Sequence, residues 1–404
     1  MVLMSRLIDF HGSFREKTLT NRRFKHGQVL RLIAGCGFEN HSVGRSFEGR
    51  DIRKITAGSG KKKILLWSQM HGDEATATMA IFDMLNFLRS GEPQFAGMRQ
   101  AILSALELHF VPMLNPDGAE RFQRRTAQEI DMNRDALVLQ CPESRILKSL
   151  VLDLQPEFSF NLHDQVIYYA VGETPVQTTI AFLATAYNPE REWNEVRTRS
   201  MQVICKMNEE LKPLIPGRVA RFSDEFEPRA FGDNIQKWGS SLILVESGAY
   251  PGDPEKQYIR ALNFHIILEA LYSIARETYT GYPLEEYEAI PANNRAFLDL
   301  KITNLTVPHP QGEYRVDLGI IRTEKNTRGA KNFTHTSVIE DIGDLSVFHG
   351  IEVFDAQGGT LRPVGDFPAL KVKYAPGKLQ IGEKATFVID HGRTQTLVLN
   401  GKIV

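Results

Sequence analysis

The stretch WSQMHGDEAT, Trp67–Thr76, sets His71 and Glu74 three residues apart. An imidazole and a carboxylate are both donors to catalytic zinc, which takes three protein ligands and keeps a further position open for water. The pair alone decides little. With 11 histidines in the chain, roughly one His-x-x-Glu is expected by chance, and a second copy stands at His349–Glu352. A third donor is offered by His163 in FSFNLHD, and Glu246 in SLILVESG is a carboxylate able to accept a proton from water. Between them NPDGAERFQRRTAQEIDMNRD carries Arg124, Arg125, Asp131, Asn133 and Arg134.

The elements that must position these residues give the grouping its force. KILLWSQ, LELHFVPML, FSFNL and SLILVES read as buried strands. ATMAIFDMLNFLRS, SRILKSLVLDL, TRSMQVICKMNEELKPL and YIRALNFHIILEALYSIARETY read as helices, the first of them stopped by Gly91. Strands alternating with helices predict an α/β fold with a mixed, largely parallel sheet and helices on both faces. Each polar group lies just past the carboxyl end of a strand, the edge where open α/β sheets bind ligands. His71, Glu74 and His163 thereby form a His2Glu set.

From about Ala296 the character changes. FLDLKITNL, EYRVDLGIIRT, GIEVFDAQ, ALKVKYA, KATFVID and QTLVLNGKIV are short, often alternating, and separated by turn residues, which predicts a small all-β sandwich or barrel. The expected organisation is a catalytic domain over 1–290 and a β-rich accessory domain over 296–404. His349 and Glu352 fall in the β segment without comparable partners and read as a surface or turn pair. The glycines of AGSGKKK are wrongly spaced for a phosphate loop, so it reads as a turn.

Composition narrows the class. A formal net charge of -1 gives no electrostatic case for nucleic acid or an anionic membrane. Cys36, Cys141 and Cys205 are odd in number, far apart and free of any Cys-x-x-Cys, so neither a disulfide framework nor a thiolate zinc site is indicated. MVLMSRLIDFHGSFREK turns polar before an apolar signal region builds up, and no run of 18 apolar residues occurs. The expectation is a soluble, reduced, cytoplasmic protein.

Taken in order, GRSFEGRDI, His-x-x-Glu, NPDG, DMNRD, His163 and Glu246 resemble the carboxypeptidase A-like zinc metallopeptidases over roughly residues 43–275. The 89 positions from Glu74 to His163 are similar to the compact bacterial branch of that family. The resemblance implies one zinc per chain, held by His71, Glu74 and His163. It implies Asp131 as the carboxylate that hydrogen-bonds a zinc-bound imidazole, and Glu246 as general base. Asn133 and Arg134 would grip the terminal carboxylate of a peptide substrate, a task suited to the planar fork of arginine. Arg124, nine residues before Asn133, would polarise the carbonyl, and its neighbour Arg125 is the alternative. Read on its own, the NRD motif is equally a helix-start cap.

Two features depart from the family pattern. Digestive members carry a mobile Tyr before the catalytic Glu, whereas RFSDEFEPRAFGDNIQKWGSSL has Phe222, Phe226 and Phe231 and no Tyr. The residue after His163 is Asp164 where the family has Ser. Asp233 follows a glycine and reads as a turn residue, with a basic substrate side chain as the alternative partner. The leading expectation is a zinc-dependent carboxypeptidase. The rivals are a zinc-dependent deacylase of N-acyl amino acids, similar to aspartoacylase and succinylglutamate desuccinylase, and a non-catalytic binding protein on the same fold.

Overall fold

The computed structural model of the chain describes residues 7–364 and 379–404. The chain divides into two compact units, Met1–Asn294 and Arg295–Val404.

Nine strands of the first unit are β1 (Glu39–Arg45), β2 (Asp51–Ala57), β3 (Lys62–Ser68), β4 (Leu106–Val111), β5 (Phe158–Asp164), β6 (Tyr169–Val171), β7 (Ile180–Leu183), β8 (Val219–Arg221) and β9 (Ser241–Ser247). Its helices are α1 (His11–Phe14), α2 (His26–Ala34), α3 (Thr76–Arg89), α4 (Ala96–Ala105), α5 (Pro116–Arg121), α6 (Pro142–Leu154), α7 (Glu195–Leu211), α8 (Phe231–Lys237), α9 (Gln257–Arg276) and α10 (Leu284–Glu288). Eight strands make one sheet in the order β1-β2-β4-β3-β5-β9-β7-β8, and the short β6 stands outside it. The centre, β4-β3-β5-β9, is parallel. The antiparallel pairs β1-β2, β2-β4 and β7-β9 flank that centre. Of these elements, β1, β2, β6, β7, β8, α1, α2, α4, α5, α8 and α10 are not among those expected from the sequence. Most are short, and such segments offer too few residues for a long apolar run or a clear period.

The central strands are buried on both faces because helices cover both. In β3, Ile64 and Leu66 join the core under α3, α4, α7 and α9, while Leu65 and Trp67 join the one under α6 and α8. Phe158, Phe160 and Leu162 of β5 continue the first core, which turns Ser159, Asn161 and His163 to the opposite side by strand alternation. Each large side chain removed from water here contributes roughly 1.5–3 kcal/mol. From β3 the chain passes to β4 on one side and later to β5 on the other. That reversal opens a crevice at the carboxyl ends of β3 and β5, where His71 and His163 are found.

All three cysteines are free and buried. Among the described residues no helix is long and apolar enough to cross a membrane.

After β10 (Asn293–Arg295), the second unit holds β11 (Phe297–Val307), β12 (Tyr314–Asn326), β13 (Phe333–Gly343), β14 (His349–Asp355), β15 (Thr360–Arg362), β16 (Phe387–Asp390), β17 (Gln395–Leu399) and β18 (Lys402–Ile403). They form one sheet in the order β13-β12-β11-β15-β16-β17-β18, with β14 beside β11. Leu300, Ile302, Leu318, Ile320, Phe387 and Val398 lie in its core. β13 and β15 were not expected, and the strand expected in ALKVKYA, 369–375, lies outside the described residues. His349 and Glu352 sit on the regular strand β14 and not in a turn, and Glu352 binds the Arg322 guanidinium at 2.6 Å.

Candidate metal centre

The loop after β3 is shaped by a close approach. Gln69 is left-handed at φ 47°, and its Nε2 donates to the Gly72 carbonyl at 2.9 Å. Gly72 packs on the start of α5, where a Cβ would stand 2.0 Å from the Gly118 carbonyl carbon and 2.2 Å from the Ala119 nitrogen. Only glycine fits. NPDG is the other half of this brace. The Asn115 side chain accepts from the Gly118 N–H at 2.9 Å, Pro116 takes the first helical position, and Asn115 Nδ2 donates to the Met70 carbonyl at 3.3 Å. Asp117 is fully buried and accepts from Ser46 Oγ, the Glu48 N–H and the Arg50 guanidinium at 2.6, 2.9 and 2.7 Å. GRSFEGR therefore supports NPDG, which supports the His71–Glu74 loop.

Three donors converge at the end of that loop. Glu74 Oε1 lies 2.8 Å from His71 Nδ1, and Glu74 Oε2 lies 2.6 Å from His163 Nδ1. All three residues are buried, and one donor atom from each falls within 4.8 Å of the others. Asp131 Oδ1 holds the far nitrogen of His71, Nε2, at 3.1 Å. The same Asp131 carboxylate caps the short 3-10 helix Met132–Arg134 by accepting from the Asn133 N–H at 2.9 Å, so the capping and the imidazole-binding readings of DMNRD both apply. Arg124 lies across the group. Its Nη1 is 3.1 Å from His71 Nδ1 and 3.3 Å from Glu74 Oε1, and its Nε donates to Asp131 Oδ2 at 3.0 Å.

Burial would disfavour every charge here, and the charges answer one another. Burial resists ionisation of Glu74, but His71 and His163 hold its carboxyl well below the usual range. Burial likewise opposes protonation of His71, yet Glu74 and Asp131 push its pKa up to about 9. His163 moves the other way because desolvation outweighs its share of the single Glu74 charge. For Asp131, burial is overcome by His71 and Arg124, which hold its carboxyl below the usual range.

Glu246 lies across from His163 in the β5-β9 ladder and is half-buried. Burial and then the Glu74 charge raise its pKa well above the ordinary value. Beneath the group, the Asp164 N–H donates to Glu74 Oε2 at 3.2 Å. The Asp164 carboxylate accepts from Thr76 Oγ1 at 2.7 Å and pairs with Lys256 Nζ at 3.3 Å. Sequence reasoning missed Lys256, since nothing in PGDPEKQY announces a buried cation. It also passed over Asp73, whose carboxyl is raised to about 6 by burial and the Glu74 charge, although it lies inside HGDE itself.

The residues expected at the substrate end are divided. Asn133 Oδ1 accepts from the Phe231 N–H at 2.9 Å, which fixes its carboxamide. Arg134 pairs with Glu227 at 3.2 Å, and Glu227 is also chelated by Arg229 at 2.9 and 2.8 Å. Arg125 is not brought to this group, because its guanidinium donates to the Glu129 carbonyl at 2.9 Å. Asp233 lies in the first turn of α8 and not in a turn between elements. It is buried and accepts from the Glu227 N–H at 2.6 Å; burial and the Glu227 charge outweigh that bond and raise its pKa to about 7.

Residues 38–138 match the family model described as zinc carboxypeptidase, the kind of family the motifs resemble. Carboxypeptidase 2 of Trichophyton rubrum is 29% identical over 168 residues, covering 40% of this chain and 30% of the relative. Carboxypeptidase Z of Mus musculus is 28% identical over 145 residues, covering 28% of this chain and 22% of the relative. The chain thus spans less than a third of the length of either. Bovine thrombin-activatable fibrinolysis inhibitor, solved in complex with tick carboxypeptidase inhibitor, aligns with a TM-score of 0.50 at 13% identity, over 64% of this chain and 98% of that one. The shared feature at that identity is the α/β fold with its mostly parallel sheet.

Proposed function

Proceeding from the match to zinc carboxypeptidases over residues 38–138, we propose that the first unit is a zinc-dependent carboxypeptidase acting on peptides with a free terminal carboxylate. The observation that carries the reading is the convergence of two imidazole Nδ1 atoms on one carboxylate, with Asp131 on the far nitrogen of His71. Two His and one Glu, with an outer carboxylate orienting one ring, are the donor set of a catalytic zinc site, so the residues present fit the ion. Zinc held by His71, Glu74 and His163 would supply Lewis acidity, activating water and polarising the scissile carbonyl.

The chain's own groups do the rest. Glu246 takes the proton of the attacking water and returns it to the leaving amine, a task for which a raised pKa is favourable. Arg124 meets the negative charge that develops on the carbonyl oxygen, and it takes this role over Arg125 because only Arg124 reaches the donor group. Asn133 and Arg134 select the terminal carboxylate. Arg134 already carries the Glu227 carboxylate, so the substrate shares or replaces it.

The test is incubation of the purified full chain with a peptide library and with a set of N-acyl amino acids, read by mass spectrometry, with each peptide presented as free acid and as amide. Loss of single C-terminal residues from the free acids alone supports the reading. Release of acyl groups from N-acyl amino acids with every peptide left intact overturns it in favour of a deacylase.

A further inference from the structure

A second cluster of metal-type donors lies away from the site above, between α7 and α9. Glu210 belongs to α7, while His265 and Glu269 stand four residues apart on α9, the spacing that sets two side chains on one helical face. One donor atom from each of the three falls within 4.8 Å of the others.

His265 is the unusual member. It is 1% exposed, and among the described residues its Nδ1 has no hydrogen-bond partner. Its Nε2 pairs with Glu210 Oε2 at 3.2 Å. Two ligand atoms each about 2.1 Å from one ion, at tetrahedral or octahedral angles, are about 3.0–3.4 Å apart. The observed separation falls in that interval. Glu269 is half-buried, and among the described residues its carboxylate is in no hydrogen bond. Burial raises its carboxyl pKa and the Glu210 charge raises it further, a cost that a shared cation relieves. The Lys206 ammonium binds the opposite oxygen of Glu210, Oε1, and leaves Oε2 turned to His265. Outer partners orient metal-binding carboxylates in this way.

We propose that Glu210, His265 and Glu269 form a second divalent-cation site, tying α7 to α9 and separate from the catalytic chemistry. One imidazole and two carboxylates suit first-row ions such as Zn2+ or Mn2+. This site adds an ion to the single zinc implied by the family resemblance.

The experiment is equilibrium dialysis of the full chain against Zn2+, with metal counted per chain in the wild type, His265→Ala, Glu269→Gln and His163→Ala. Both His265→Ala and Glu269→Gln are expected to bind one equivalent fewer than the wild type. In the His163→Ala background, added Mn2+ is expected to raise the melting temperature, and adding Glu269→Gln should abolish that shift. Wild-type metal counts in Glu269→Gln overturn the site, and that variant is mild enough to decide the matter if His265→Ala fails to fold. An unchanged count in His163→Ala would count against the catalytic site instead, so the two readings fail separately.

Discussion

Replacing Glu246 by Gln separates chemistry from metal binding. Glu246 is opposite His163 in the β5-β9 ladder but is not one of the three converging donors. Among the described residues no hydrogen bond engages its carboxyl, so the amide breaks none. Gln keeps the shape and cannot take a proton from water. Loss of a general base costs about 10²–10⁴ in rate, or about 2.7–5.4 kcal/mol of barrier, so kcat is expected to fall by at least a hundredfold. Zinc content should match the wild type, because His71, Glu74 and His163 are untouched. Stability follows from the sign of the shift. Burial and Glu74 raise the folded-state pKa above the ordinary 4.5. The stability contributed by Glu246 is therefore full below pH 4.5 and lost as pH rises through the folded value. In the metal-free protein, Glu246→Gln should hold or gain stability relative to wild type at pH 8, with the difference closing toward pH 4. The assays are turnover on a cleaved library peptide, metal analysis, and urea denaturation at both pH values. Near-normal turnover would refute the base assignment, and loss of zinc would make Glu246 a ligand or a support.

Gly72→Ala places a methyl on the backbone of Gly118 and Ala119. It should cost about 3 kcal/mol or more and weaken zinc retention, and wild-type melting and metal content would refute the brace. Glu227→Gln frees Arg134 from a partly exposed pair, where such pairs are worth up to about 1 kcal/mol. KM for free-acid peptides should fall by about 2–5-fold with kcat unchanged, and a rise in KM would show that Glu227 assists binding. Asp233, with a pKa near 7 against an ordinary 3.8, contributes stability below pH 3.8 that is lost as pH rises through about 7. Asp233→Asn should gain about 2–4 kcal/mol on wild type between pH 4 and pH 8 in denaturant titrations, and a pH-independent difference would count against it.

Length, charge and period carried the central architecture. KILLWSQ, LELHFVPML, FSFNL and SLILVES are rich in apolar residues because strands covered on both faces are buried, and strand-end polar residues in such a sheet lie on its ligand-binding edge. That was enough to bring His71, Glu74, His163 and Glu246 together on paper, and to discount His349 and Glu352. It was not enough for β7, a four-residue strand added antiparallel to β9, for β13, a largely polar strand that closes a hairpin with β12, or for β15, three residues whose neighbour β11 is far away in sequence. The finer chemistry lay beyond one-dimensional reading. Arg124 and Arg125 are adjacent and identical in type, and only the path of the chain after α5 turns one to His71 and the other to the Glu129 carbonyl. Glu227 on Arg134, Lys256 on Asp164 and Glu210 beside His265 join residues 93, 92 and 55 positions apart. Such pairs have no sequence period. Their partners are chosen by which helices and loops the packed core brings face to face.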